Sequence, residues 1–344
     1  MNPDKSRKVF TNMNARESLE LTKDVLKLDY EKEVAVISSR IKEILRRDLR
    51  RRGLVIAISG GIDSSVSAAL CVKAVGVNKV FGLLLPEQDS SSESMLKGKL
   101  IAEHLGIKYE VQNIAPTLEA VGCYKWRDDA VKHIFPEYTS EWKLKIAITG
   151  GQEGQFNHFK LVVQKPDGEI LTNKLNLKEY LQIVAATNYK QRIRKTVEYF
   201  HADRLNYAVV GTPNRLEYDQ GFFVKNGDGS ADLKPIAHLY KTQVYALASY
   251  LNLPDEICNT IPTTDTYSLP QGQDEFYFAL PYEQMDLALW CRNNDVSPQE
   301  CASLIGVSDS QAEFIYKDID SKRRTTSYQH AKAVLVEQVK EITV

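Results

Sequence analysis

The sequence predicts an α/β protein built on a doubly wound parallel sheet, and three observations carry that prediction. Short apolar runs recur at 54–58, 79–85, 108–111 and 206–210, as expected of strands covered on both faces. Stretches of helical spacing separate them. The first run ends in Ser59-Gly-Gly-Ile-Asp-Ser-Ser65, a glycine-containing turn from strand into helix.

Composition bounds the rest. A length of 344 residues suggests about two domains, or one large one, at roughly 150 residues each. A sizeable core is possible at this size. Hydrophobic residues at 43% and charged residues at 26% are ordinary for a globular protein. The 44 Lys and Arg against 45 Asp and Glu leave a net charge of −1, which excludes nucleic-acid binding through bulk positive charge. No apolar run approaches the roughly 18–20 residues that cross a bilayer. The amino terminus also lacks the apolar stretch of a secretory signal. A cytoplasmic protein with no membrane or nucleic-acid partner is expected. The five cysteines are widely spaced with no CxxC pair, so neither a zinc site nor a disulfide framework is indicated.

Taken in order, residues 1–30 read as a polar arm. Val34, Ile37, Ile41, Ile44, Leu45 and Leu49 then recur on one helical face. This helix ends among Arg46, Arg47, Arg50, Arg51 and Arg52, with Gly53 as its stop; cations suit a helix carboxyl end and glycine commonly follows it. Further helices are predicted from the serine-rich turn through Val75, from about Ser92 to Leu105, and over about Tyr189–Ala202. Residues of about 120–186 interrupt the alternation. Within them, Phe159–Gln164 and Glu169–Thr172 flank Asp167-Gly168 and predict a small inserted β-hairpin subdomain. The chain beyond Leu280 is helical in pattern. Right-handed crossovers would bring the loops at the strands' carboxyl ends into one crevice.

The turn at 59–65 has the makings of a phosphate site. Glycines admit an anion close to the backbone, and free N–H groups at a helix start point toward it. Ser59, Gly60, Gly61, Ile62, Asp63, Ser64 and Ser65 form this candidate loop. Asp63 would repel phosphate unless a cation intervened, which suggests Mg²⁺. No GxxxxGK[ST] is present. SGGxDSS after an apolar strand resembles the ATP pyrophosphatase (PP-loop) superfamily, whose members cut ATP between its α and β phosphates and have an adenine nucleotide alpha hydrolase-like, Rossmann-like fold.

A second constellation follows the fourth strand: Gly211-Thr-Pro-Asn-Arg-Leu-Glu217, Gly227-Asp-Gly-Ser-Ala-Asp232 and Leu239-Tyr-Lys-Thr-Gln243, then Ile261-Pro-Thr-Thr-Asp265 and Gly272-Gln-Asp-Glu275. In this order the motifs resemble the NAD synthase family, from about residue 31 to 325 outside the insert. The resemblance implies a single ligase domain over 31–344, with ATP and deamido-NAD as substrates, ammonia as nitrogen source and a homodimeric assembly. It assigns Mg²⁺ ligation to Asp63 and Glu217, and the ATP phosphates to Lys241. Thr212 would bind ATP, and Thr263 would hold the departing pyrophosphate and transferred adenylyl group. Asn188-Tyr-Lys-Gln-Arg-Ile-Arg194 is similar to the family's N-x-K-A-R-x-R helix start. Arg192 in it would face the substrate's anionic groups, and Asp228 and Asp232 the dinucleotide.

Singly, these residues fit ordinary roles: Glu217 a solvated loop carboxylate, Lys241 an exposed first-turn lysine, Thr263 a helix cap. Their ordered combination points to a site. Two other readings use the same residues. One is a sister PP-loop amide ligase for a different carboxylate, suggested by the insert and by Pro213 after the Gly-Thr pair. The other is a catalytically silent nucleotide-binding regulator, which would not need Asp63, Glu217, Lys241 and Thr263 together. Only about 50 residues precede the first strand, so a fused amidase-type glutaminase is not expected; a separate glutaminase is the alternative nitrogen source. A tRNA-thiolating enzyme is disfavoured by the lack of paired cysteines.

Overall fold

In a computed structural model, residues 21–149, 158–259, 267–269, 280–337 and 339 are described. Helix α1 (Tyr30–Glu43) leads through a π turn at Ile44–Asp48 into β1 (Leu54–Ala57), then α2 (Ile62–Val75), β2 (Val80–Leu84), α3 (Ser92–His104) and β3 (Lys108–Val111). Short helices α4 (Ala115–Ala120) and α5 (Cys123–Lys132) precede β4 (Lys143–Thr149), β5 (His158–Gln164) and β6 (Ile170–Lys174). The long α6 (Leu177–Leu205) returns the chain to β7 (Ala208–Val209). Helices α7 (Arg215–Gln220), α8 (Lys241–Tyr250) and α9 (Asp255–Cys258) follow, and α10 (Tyr282–Asn293), α11 (Pro298–Ile305) and α12 (Asp309–His330) form the carboxyl-terminal part.

The main sheet is parallel in the order β3-β2-β1-β7, so the doubly wound expectation holds. Alternate residues serve opposite faces, as the pleat requires. Leu54 and Ile56 pack with α1, α2 and α8, whereas Val55, Leu83 and Val209 pack toward α4, α5 and α6. Strand order reverses at β1, between β2 and β7. In an open α/β sheet, ligands bind beyond the strands' carboxyl ends at such a reversal. The β3 edge differs from the expectation of strands covered on both faces, because its residues are mostly exposed.

The insert carries more structure than a hairpin. β4 joins β5 and β6 in a three-stranded antiparallel sheet of order β4-β5-β6. The signal for β4 was present in the alternation Lys143-Leu-Lys-Ile-Ala-Ile-Thr149, with Leu144 and Ile146 buried. The turn at Asp167-Gly168 forms as anticipated, with Gly168 at φ +93°. Helix α6 starts twelve residues before its expected beginning because nothing interrupts it, and Ile183 and Ala186 give that extra length a buried face.

Two boundaries change for physical reasons. The helix before β1 is terminated by Arg50, which takes the left-handed conformation at φ 52°, not by Gly53. Gly53 is needed for space: a Cβ there would meet the Tyr207 ring at 2.4 Å and the Lys79 carbonyl oxygen at 2.6 Å. The fourth strand shortens to β7 because Asn206 is the left-handed cap of α6 and Val210 only bridges Leu233. The end of the expected arm is held down: Leu26 is buried and its carbonyl accepts from Gln243 Nε2 at 2.8 Å. Among the described residues no helix is long and apolar enough to cross a membrane.

Gly53→Ala should lower unfolding stability by about 1–3 kcal/mol, the usual range for overpacking, measured by denaturant titration. A variant as stable as the parent would show that Tyr207 can yield without cost.

Candidate active site

The crevice at the carboxyl ends of β1 and β2 and beside β7 has a volume of about 950 Å³, at the upper end for ligand pockets. Its floor is the turn from β1 into α2. Gly60 sits at φ +83°, and a Cβ there would lie 2.6 Å from the Ser94 carbonyl oxygen and 2.8 Å from Lys97 Cβ. Glycine therefore lets the turn pack against α3. Around it the Ser59 hydroxyl accepts from Gly61 N–H at 3.2 Å, and the Ser64 hydroxyl donates to the Gly61 carbonyl at 2.9 Å. The first N–H groups of α2 have no acceptor within the helix and carry its positive dipole end. The arrangement suits an anion.

Three charges converge above this turn. Lys241, at the first position of α8, is fully buried and ion-pairs with Asp63 in the first turn of α2, 178 residues away in sequence. Glu217, on α7, is the third. Burial alone would depress the Lys241 ammonium, but Asp63 and Glu217 outweigh it and hold its pKa above the ordinary lysine value. Burial and then the repulsion of Asp63 push the Glu217 carboxyl up to about 8, against the pull of Lys241 and the Asn214 N–H. Two mutually repelling carboxylates beside an anion site form a natural place for a divalent cation.

Asn214 was not anticipated as part of this site. It is buried, caps α7 by accepting from the Leu216 and Glu217 N–H groups at 3.0 and 3.1 Å, and donates its own backbone N–H to the Glu217 carboxylate at 3.2 Å. Its side-chain amide also donates to Asp63 Oδ1 at 3.2 Å. The signal was the N-x-x-E spacing of a capping box, Asn214 to Glu217.

The remaining residues divide. Ser59, Gly60, Gly61, Ile62, Asp63, Ser64, Thr212, Glu217, Lys241, Arg192 and Asp228 all line the crevice. Arg192 donates to the Lys225 carbonyl at 3.2 Å and Asp228 accepts from Val224 N–H at 2.7 Å; burial raises the Asp228 carboxyl pKa. Ser65 faces inward and donates to the Gly61 carbonyl at 2.8 Å. Asp232 is outside the crevice lining and accepts from Val209 N–H at 2.7 Å, closing the end of β7. Thr263, with its Ile261–Asp265 motif, and Gly272–Glu275 lie outside the described residues. His238 is exposed and pairs with Glu33 at 2.8 Å.

The NAD synthase family model matches residues 33–136 and 152–330. The chain belongs to the NAD synthase family. An NH(3)-dependent NAD(+) synthetase of Rhizobium meliloti (strain 1021) is 51% identical over 341 residues, 99% of this chain and 98% of that protein. One of Thermotoga maritima is 36% identical, covering 76% of this chain and 88% of that protein. Among solved structures, the NH3-dependent NAD synthetase of Campylobacter jejuni in complex with the nitrate ion matches with TM-score 0.60 at 21% identity. It covers 90% of this chain and all of that one, a likeness of fold. The interruption of the family match at 137–151 contains β4.

Without a divalent cation, the raised Glu217 pKa has a sign. The native state holds this proton where the unfolded chain releases it, so stability should fall as pH rises from the ordinary carboxylate range to about 8. Mg²⁺ should flatten that fall, and Glu217→Gln should remove it, in melts recorded across pH. Asn214→Ala should cost about 1 kcal/mol through its cap and weaken the Mg²⁺ response; an unchanged Mg²⁺-induced shift in Tm would separate the cap from the site.

Proposed function

We propose that this chain adenylates the nicotinate carboxylate of deamido-NAD with ATP and amidates it with ammonia, giving NAD, AMP and pyrophosphate. The observation that carries this reading is the convergence of Asp63, Glu217 and Lys241 over the amino end of α2. A kinase-type phosphate loop is absent from the sequence, and the family membership supplies the substrate class.

A carboxylate repels nucleophiles and has no good leaving group. Attack of its oxygen on the α-phosphorus of ATP forms a new P–O bond while the bond to pyrophosphate breaks. The carboxylate oxygen then belongs to AMP, which departs when ammonia attacks the acyl carbon and the nitrogen loses a proton. The chain's part is charge placement. The α2 amino end and the Ser59 and Ser64 hydroxyls would hold the phosphates, and Lys241 would stabilise charge that grows on them in the transition state. Its ammonium is already fixed by Asp63, so little reorganisation is needed as that charge develops. Arg192, across the crevice, would bind the anionic part of the dinucleotide.

Asp63 and Glu217 would hold Mg²⁺, which supplies charge neutralisation between phosphate oxygens. Among the described residues no three His, Cys, Asp or Glu side chains cluster as a cage. Two carboxylates would suit Mg²⁺, which is commonly held by one or two of them. Ammonia must arrive unprotonated, since ammonium has no lone pair. Homodimerisation and free ammonia as nitrogen source belong to the same reading.

Purified protein with ATP, Mg²⁺ and ammonium should form AMP and pyrophosphate only when deamido-NAD is added. Glutamine should not replace ammonium, and at fixed total ammonium the rate should climb with pH as free ammonia increases. Turnover of ATP indifferent to deamido-NAD but responsive to another carboxylate would move the assignment to a sister ligase. Lys241→Met should lower kcat by about 10²–10³-fold, as loss of a transition-state charge stabiliser does.

A further inference from the structure

The insert's core meets the crevice at Tyr180, Val184 and Tyr267, and Tyr267 comes from a distant part of the chain. Tyr267 is buried with Leu144, Ile146, Leu161 and Ile183 in the insert's own core, yet it also lines the crevice. Its hydroxyl lies beside the Thr187 side chain, on α6 immediately before Asn188. The residues after it fasten to β4. Leu144 N–H donates to Ser268 Oγ at 2.9 Å, and Leu269 N–H donates to the Leu144 carbonyl at 3.1 Å. Both backbone groups of Leu144, on the edge that β5 leaves open, are thereby used, which is how an edge strand is normally covered.

A second fastening lies at α5. Arg127 meets Asp89 at 2.6 Å, and Lys190 of α6 meets Asp89 at 2.6 Å and Glu87 at 3.1 Å, all buried. Along α6, Ile183 belongs to the insert's core, whereas Ile193 packs against the main sheet's core. Thr187 to Arg192 is thus the stretch where support passes from one core to the other, and Thr187, Asn188 and Arg192 in it line the crevice.

We propose that Tyr267 is a positioning residue, through which the insert sets the place of the α6 wall from Thr187 to Arg192 relative to the phosphate loop. This rests on the ligase reading above. The insert is then a brace for the acceptor side of the reaction, and β4, which falls outside the family match, is the strand that receives it. A displacement of about 1 Å between reacting groups costs on the order of 10²-fold in rate, so a loose wall shows in turnover.

The test uses the full-length protein and the variants Tyr267→Ala, Tyr267→Phe and Ser268→Ala, with ATP-dependent amidation kinetics, thermal melts and hydrogen exchange. Tyr267→Ala should lower kcat about 10- to 100-fold while KM for ATP stays within about twofold. Tyr267→Phe, which keeps the ring, should recover most of that loss. Exchange at the Leu144 and Leu269 amides and over residues 184–192 should quicken in the alanine variant. A folded Tyr267→Ala protein with parental kcat, or with parental exchange at these amides, overturns the proposal. Should Tyr267→Ala fail to fold, Ser268→Ala decides: faster exchange at Leu144 with kcat lowered about threefold supports the brace, and parental values overturn it. Parent protein that ignores deamido-NAD defeats the ligase reading instead, and the exchange measurements still judge the brace.

Discussion

The site is organised around the ion pair of the half-buried Asp63 and the buried Lys241. The pair joins the first turn of α2 to the first turn of α8. A lysine at a helix amino end opposes the helix dipole, and burying its charge is expensive unless a partner is fixed nearby. The stability of α8 does not favour that placement, although Asp63 suits the amino end of α2. It becomes reasonable when Asp63 and Glu217 face the ammonium and an anion is to occupy the space in front of it. Without a metal the site relieves the repulsion between its two carboxyl groups by raising the Glu217 pKa to about 8, so that a proton takes the place a cation would fill.

Keeping such a centre in place falls to ordinary packing. β1 and β2 present one set of residues to α1, α2 and α8 and the alternate set to α6, so α2 and α8 are held on the same face of the sheet. Asn214 does for Glu217 what the sheet does for the helices. By capping α7 and contacting Asp63 in the same gesture, it couples the position of one carboxylate to the other. The carboxyl-terminal helices close this side through a core of their own that includes Leu216 of α7.

Much of this is legible in the amino-acid sequence. The apolar runs located the main strands, because a strand covered on both faces has to be apolar throughout. The turn at 59–65 and the ordered motifs from Gly211 to Gln243 located the loops that meet in the crevice. Other features were not legible for reasons that can be named. Arg50 rather than Gly53 ends the first helix because the space beneath Tyr207, a residue far along the chain, determined where glycine was required. Asp232 stands in a motif that pointed to substrate, yet its carboxylate closes the end of β7. Residue type and spacing are the same for either role, and only direction distinguishes them.

The fold class, the phosphate turn and the set of charged residues available to it follow from local periodicity, glycine placement and motif order. Which of those charges meet depends on how the helices pack. Lys241 reads equally well as an exposed first-turn lysine until α8 is laid beside α2, and Tyr267 has no role until its hydroxyl is seen against Thr187 and its ring inside the insert. Pairings across such distances depend on how helices pack on a sheet, and that information is spread over the whole core rather than written beside either partner.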